Sequence, residues 1–164
     1  MILETERLYL RTLEINDAIR MSQYRNKPEV AQFQSWKSYS IEDAMKRIEQ
    51  CLKIDDYHQP RTDYHLAIIS KEHNQMIGDL FVDVVNKRVF CLGYTLDSDY
   101  WSQGFAFEIV DAFLKYMKEE YHFQKAICYA YYDNVRSKNL LRKLGFIKFE
   151  ESYYYGDEGF VKRL

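Results

Sequence analysis

Leu92-Gly-Tyr-Thr-Leu-Asp-Ser-Asp-Tyr-Trp-Ser-Gln-Gly-Phe-Ala106 runs from a strand pattern, through a short polar turn, into the first residues of a long helical pattern. From Gly104 to Tyr121 the apolar positions Ala106, Ile109, Val110, Phe113 and Met117 recur at helical spacing, with Asp111, Lys115 and Lys118 off that stripe. A strand that turns directly into a helix presents the helix's first N–H groups, which lack intrahelical partners, together with the positive end of its dipole. Such a junction holds a pyrophosphate with few cationic side chains, and Gly104 lets the backbone approach closely. No Rossmann G-x-G-x-x-G and no Walker P-loop occurs in the chain, so neither of those phosphate-binding frameworks applies.

Outward from this stretch, residues 64–70, 76–85 and 88–96 are rich in Ile, Val, Phe and Tyr and read as three consecutive antiparallel strands, the last two a hairpin. Before them, Ser40-Ile-Glu-Asp43 has the form of a capping box and predicts a helix to about Asp55. Residues 7–13 alternate as a half-buried first strand, Asn16 and Asp17 can cap a helix to about Arg25, and Pro28 suits the first turn of a short segment, residues 28–33. After the long helix come a strand over residues 126–132 and a helix over residues 135–144 ending at Gly145. A closing hairpin of residues 146–155 and 160–164 then folds across Gly156-Asp-Glu-Gly159. This order predicts an α+β sandwich with helices on a mixed sheet, in a single domain over residues 1–164.

The composition agrees. At 164 residues and 47% hydrophobic content the chain suffices for one compact core, and six glycines and two prolines against fifteen tyrosines fit neither a collagenous nor a disordered chain. A net charge of −2 is not the footprint of a nucleic-acid binder. Cys51, Cys91 and Cys128 are widely spaced with no C-x-x-C, which argues for free thiols in a reducing compartment and against a disulfide framework or a metal site. No apolar run reaches the roughly 18 residues that span a bilayer, so no membrane partner is expected and the location expected is cytoplasmic.

At these residues the sequence resembles the GNAT superfamily of N-acetyltransferases, and within it the RimJ/RimL-type branch, over nearly the whole chain. Trp101-Ser-Gln-Gly-Phe-Ala106 fills the superfamily's R/Q-x-x-G-x-G/A loop, with the branch's Trp first and Ser102 where Gly is usual. Asn134-Val-Arg-Ser-Lys-Asn-Leu-Leu-Arg-Lys-Leu-Gly-Phe146 is similar to the branch's N-x-x-S-x-x-x-L-x-K-x-G-F. Asn26-Lys-Pro-Glu-Val30 and Ser40-Ile-Glu-Asp-Ala44 echo its N-D-P-E-V and S/T-x-E-D/E-A. The resemblance implies a mostly antiparallel sheet of about seven strands with four to five helices, acetyl-CoA as co-substrate, no metal, a primary-amine acceptor, and room for a homodimer.

By the same resemblance, Trp101, Ser102, Gln103, Gly104, Phe105 and Ala106 would cradle the pyrophosphate, and the backbone of Thr95 and Leu96 would pair with the pantetheine arm. Asn134 would bond that arm, and Ser137 would sit near the sulfur. The tyrosine that many members carry seven residues after the Asn is Leu141 here, so the acid role falls to Ser137 or to water. Asn134 also reads as a plain helix cap, and Lys138, Arg142 and Lys143 as a solvated face that could reach a phosphate.

Attack of an amine on a thioester requires a neutral nucleophile, donors for the developing oxyanion and a proton for the thiolate. At pH 7 an α-amine of pKa about 8 is roughly a tenth neutral, whereas a lysine-like amine is neutral by less than about a thousandth. A protein N-terminus therefore needs a weaker base than a lysine or a polyamine does. Candidate carboxylates are Asp79, Asp83, Glu108 and Asp133, with Asp83 taken as base or amine contact. Asp79 and Asp83 share a strand face, where the plain reading is solvated edge charge, and Glu108 sits in the first turn of a helix that favours an acid. Trp36, Tyr39 and Tyr57 are candidates to line the acceptor site or to pack, and His58, His65 and His73 carry no metal-ligand spacing. A non-catalytic acyl-CoA-binding module is the alternative function.

Overall fold

The computed structural model describes Met1 to Leu164. Its strands are β1 (Leu3–Glu4), β2 (Leu8–Thr12), β3 (Thr62–Ser70), β4 (Gln75–Asn86), β5 (Val89–Leu96), β6 (Lys125–Tyr131), β7 (Ile147–Ser152) and β8 (Asp157–Arg163). The helices are α1 (Asp17–Arg25), α2 (Pro28–Ala31), α3 (Ile41–Leu52), α4 (Phe105–Tyr121) and α5 (Val135–Lys143), with a 3-10 turn at Ser98–Tyr100. The eight strands form one sheet in the order β1-β2-β3-β4-β5-β6-β8-β7, antiparallel throughout except between β5 and β6. The fold is therefore the expected α+β arrangement, with one strand more than anticipated. Leu3–Glu4 pairs with Leu10 and Tyr9 over only two residues, too few to display a period of two.

Local signals set the elements. Ser40 accepts from the Asp43 N–H while the Asp43 carboxylate accepts from the Ser40 N–H, the reciprocal capping box that starts α3. Asn16 makes no side-chain cap on α1; the Asp17 carboxylate instead accepts from the Glu14 N–H and from Arg11. The closing hairpin reverses at residues 153–156, three residues before the expected turn. Asp157, Glu158 and Gly159 are needed as ladder partners of Tyr131, Ala130 and Tyr129, and Gly156 takes the left-handed φ of +69°.

Strand alternation sorts the two faces. Phe90 packs edge-on against Phe113 of α4, and Tyr94 meets Ser137 of α5, so the face bearing Phe90, Leu92 and Tyr94 lies under α4 and α5. The opposite face bears Asp63, His65, Asp79 and Asp83 and lies under α1 and α3, which bind it through Tyr24, Arg25 and Arg47. Those two helices cover only the β3–β4 side. Across β5, β6 and β8 the same face is left without a helix, and Cys91, Gly93, Ile127 and Val161 are half-buried there.

Asp79 overturns its reading as an edge charge: β4 is interior to the sheet, and Asp79 is 1% exposed. Its carboxylate accepts from Arg25 at 2.6 Å, from the Tyr24 hydroxyl, and from His65 Nδ1 at 2.7 Å. The Arg25 guanidinium stacks over Trp36 and Tyr39 at 4.3 and 4.5 Å, placing both aromatics in this cluster. Burial alone would raise the Asp79 carboxyl, but Arg25 and the hydrogen bonds from His65 and Tyr24 hold it well below the usual range.

Burial pushes His65 below its ordinary value despite Asp79, so the ring is neutral with its Nδ1–H donated to the carboxylate. A depressed folded-state value means that the unfolded chain takes up the proton first as pH falls. The contribution of His65 is therefore whole above about pH 6.5 and is lost progressively below it, before Asp79 adds its own loss under about pH 4. Urea midpoints measured from pH 8 to pH 5 are expected to fall, and to fall less steeply in His65→Gln.

Candidate active site

The parallel ladder between β5 and β6 ends early. It joins Val89, Phe90 and Cys91 to Lys125, Ala126 and Ile127, and β6 then continues beside β8 alone. Past Cys91 the two strands stand apart, and the gap opens into two cavities. The larger, of about 1020 Å³, lies toward the start of α4 and the side of α5; the smaller, of about 230 Å³, lies toward β6 and β8. Tyr94, Asn134 and Ser137 border both.

Thr95, Leu96, Trp101, Ser102, Gly104, Phe105 and Ala106 all border the larger cavity. Gln103 does not: its side chain turns back to the Asp99 carbonyl at 3.0 Å, and its own carbonyl accepts from Arg7 at 3.0 Å. The backbone N–H groups from Ser102 to Phe107 donate to no carbonyl, which leaves a run of donors at the head of α4. Two residues in the left-handed region shape that run, Ser102 at φ +61° and Gly104 at φ +84°. Gly104 adopts this freely, whereas Ser102 does so at a cost of about 1–2 kcal/mol.

Arg7 braces the loop, and nothing in its local sequence announced it. Its guanidinium pairs with Glu108 at 2.7 Å, reaches the Gln103 carbonyl, and lies 4.3 Å from the centre of the Phe105 ring. Glu108 also accepts from the Thr5 hydroxyl and the Arg7 N–H, so this candidate carboxylate is a structural tie between the β1–β2 turn and α4. At the other end, buried Asp97 receives both Arg20 and Lys27, and its N–H donates to the Ile77 carbonyl of β4.

That last bond fixes the register of the free edge. In an antiparallel ladder, alternate residues turn their amide groups outward. Asp97 and Thr95 face β4, while Leu96, Tyr94 and Leu92 turn their backbone groups to the gap. The Leu96 carbonyl accepts from the Trp101 indole at 2.9 Å, so Thr95 offers the cavity its side chain rather than its backbone. Arg136 stacks over Trp101 at 3.9 Å and, with Arg142 and Lys143, brings positive charge to the larger cavity; Lys138 is turned away to Glu158 at 3.1 Å.

Where the cavities meet, the Tyr94 hydroxyl lies 2.8 Å from Ser137 Oγ. Burial raises the Tyr94 phenol well above its ordinary value, so it stays protonated. Asn134 accepts from the Ser137 N–H at 3.1 Å, capping α5 while it borders both cavities. Leu141, at the place where the resemblance expects a tyrosine, is 0% exposed in the core. The smaller cavity has one carboxylate on its wall, Asp157 of β8, beside Tyr129 and Tyr131 of β6. Asp83 borders neither cavity. It lies opposite Asp63 on β3 and Cys91 on β5, and burial with the Asp63 charge raises its carboxyl. Asp133 is exposed at the rim of the larger cavity. No group of three or more His, Cys, Asp or Glu side chains is placed to hold a metal, and no helix is long and apolar enough to cross a membrane.

The Acetyltransferase (GNAT) domain family model matches residues 7–147, from the bracing arginine to the first residue of β7. An uncharacterized N-acetyltransferase p20 of Bacillus licheniformis is 30% identical over 149 residues, covering 89% of this chain and 82% of that protein. The ribosomal protein uS5-alanine N-acetyltransferase of Escherichia coli is 26% identical over 98 residues, 58% of this chain and 50% of that protein. Among solved structures, a ribosomal-protein-S5-alanine acetyltransferase from Vibrio fischeri superposes with a TM-score of 0.82 at 20% identity, over 98% of this chain and 94% of that one. A strand–turn–helix junction with a run of free N–H groups beside a splayed pair of strands, matched by the family model over most of the chain, makes this chain a member of the GNAT family, an acetyl-CoA-dependent acetyltransferase.

Proposed function

We propose that the chain acetylates a primary amine, either a protein N-terminal α-amine or a small amine, by direct attack on the thioester. The observation that carries this reading is the hydroxyl pair of Tyr94 and Ser137 at the junction of the two cavities. Acetyl-CoA supplies an activated acyl group whose sulfur departs as a thiolate. The free N–H groups from Ser102 to Phe107, with Arg136, Arg142 and Lys143, suit its phosphates, and the 1020 Å³ cavity suits its length.

The outward Leu96 N–H and the outward backbone groups of Tyr94 suit an extended polar arm lying along β5 like a short added strand. Backbone N–H groups on that edge serve the carbonyl oxygen as charge develops on it. Ser137 is the proton donor to the departing sulfur, and the Tyr94 hydroxyl returns a proton to Ser137. Asp157 replaces Asp83 as the carboxylate for the amine, because it borders the acceptor cavity, where it can hold an ammonium and take up its proton directly or through water. The three free thiols fit a reducing, cytoplasmic setting.

Calorimetric titration with acetyl-CoA, paired with a thiol-release screen of peptides and small amines, tests the reading. Ala106→Pro, in the first helical turn where proline is tolerated, removes one N–H beside the larger cavity and is expected to weaken acetyl-CoA binding about tenfold, the scale of one hydrogen bond to a charged group. Binding without thiol release on any amine would instead leave an acyl-CoA-binding module.

A further inference from the structure

The helix-free half of the sheet is apolar and continuous with the smaller cavity. One row crosses four strands through the ladder pairs Cys91 to Ile127, Ile127 to Val161 and Val161 to Ile147, the last 73% exposed at the sheet edge. Beside it stands Tyr129, 52% exposed, next to Gly159 of β8, over which the Phe149 and Glu150 side chains of β7 fold. Gly93, Tyr129, Tyr131 and Asp157 belong to this face and to the cavity wall alike, so the face leads into the site.

Its charge is one-sided at the cavity end. Asp83 adjoins Cys91, Glu150 adjoins Tyr129, and Asp157 lies opposite Tyr131. None of the three carboxylates is in an ion pair. Burial and a hydrogen bond with Glu150 push the Tyr129 phenol up to about 12. The cations of the face, Lys125 and Arg163, are paired in register at its far end.

We infer that the acceptor is the N-terminal segment of a cationic polypeptide, its first residue in the smaller cavity and its following lysines or arginines laid over this face near Asp83 and Glu150. The inference rests on the acetyl-transfer reading of the same site and narrows it. A small amine would fill the cavity and leave the apolar rows in water. A basic peptide covers the rows and meets the carboxylates. The exposed Tyr153, Tyr154 and Tyr155 at the β7–β8 turn, beside Asp157, add contact area at the rim.

The test is thiol-release kinetics on three acceptors sharing the same mixture of first residues: amino-acid amides, hexapeptides rich in lysine after the first residue, and hexapeptides rich in glutamate. The lysine peptides are expected to exceed the amides and the glutamate peptides by about tenfold or more in kcat/KM at low salt, a margin that narrows as salt is added. Glu150→Lys is expected to cut the advantage of the lysine peptides about fivefold, leaving kcat/KM on the amides and KM for acetyl-CoA unchanged. Equal rates on all three acceptors would overturn the inference. So would light scattering that finds a dimer in the parent chain and a monomer in Glu150→Lys, since the face would then belong to a second copy. Acetyl-CoA binding with no thiol release from any acceptor would overturn the acetyl-transfer reading itself and this inference with it.

Discussion

Asp79→Ala is expected to lower the free energy of unfolding by about 3–5 kcal/mol, read as a fall in the urea midpoint with an unchanged slope. The loss comes from what the substitution leaves behind rather than from the bond it removes. Arg25 is 2% exposed, and without Asp79 its guanidinium stays inside the protein with only the faces of Trp36 and Tyr39 and the His65 ring for company. The paired change Arg25→Met with Asp79→Leu removes both charges and is expected to recover most of the stability, because two desolvated ions give way to apolar packing of similar volume. Should Asp79→Ala cost less than about 1 kcal/mol, the cluster would be hydrated and its role as a buried anchor for α1 would fall.

Ser137→Ala is expected to reduce kcat about a hundredfold or more while acetyl-CoA affinity stays within about twofold, the range in which a positioned acid contributes to the chemical step. A serine hydroxyl is a weak acid, so its service to a thiolate depends on being resupplied with a proton. The phenol 2.8 Å away gives Tyr94→Phe a smaller loss of about tenfold in kcat. The double variant is expected to be no slower than Ser137→Ala alone, since the two hydroxyls act in series. Multiplying losses would mean that each acts by its own route, and the relay would be wrong.

The strand and helix order was legible because its signals are local: the Ser40 and Asp43 box, the apolar stripe of α4 and the three β-rich runs each lie within one element. The strand–turn–helix junction with its free N–H groups was legible for the same reason, being contiguous from Leu92 to Ala106. Asp79 was not, because alternation along one strand is the same whether the strand lies inside a sheet or at its edge, and the partner that allows burial, Arg25, is 54 residues away. Tyr94 stood in the decisive stretch but had no visible role, since its hydroxyl partner comes 43 residues later on α5. Asp157, and not Asp83, lies on the cavity wall for a topological reason: β8 inserts between β6 and β7, which carries Asp157 there and leaves Asp83 on the far side of Cys91. The early turn of the last hairpin belongs to the same insertion, for β8 must start in time to follow β6 along its whole length.

The short parallel ladder also bears on how the molecule comes apart. Three residue pairs join β5 to β6, against nine between β3 and β4 and seven between β6 and β8. Apart from the two-pair β1–β2 ladder at the sheet edge, backbone bonding is thus thinnest along the line where the cavities open, with α4 packed across it through Phe113 on Phe90. Cooperative units separate first where fewest bonds hold them, so the amides of the β5–β6 junction should exchange with solvent sooner than those within either flanking block. A ligand spanning the gap would act there as a suture, slowing exchange on both sides of a boundary that the chain itself stitches only at one end.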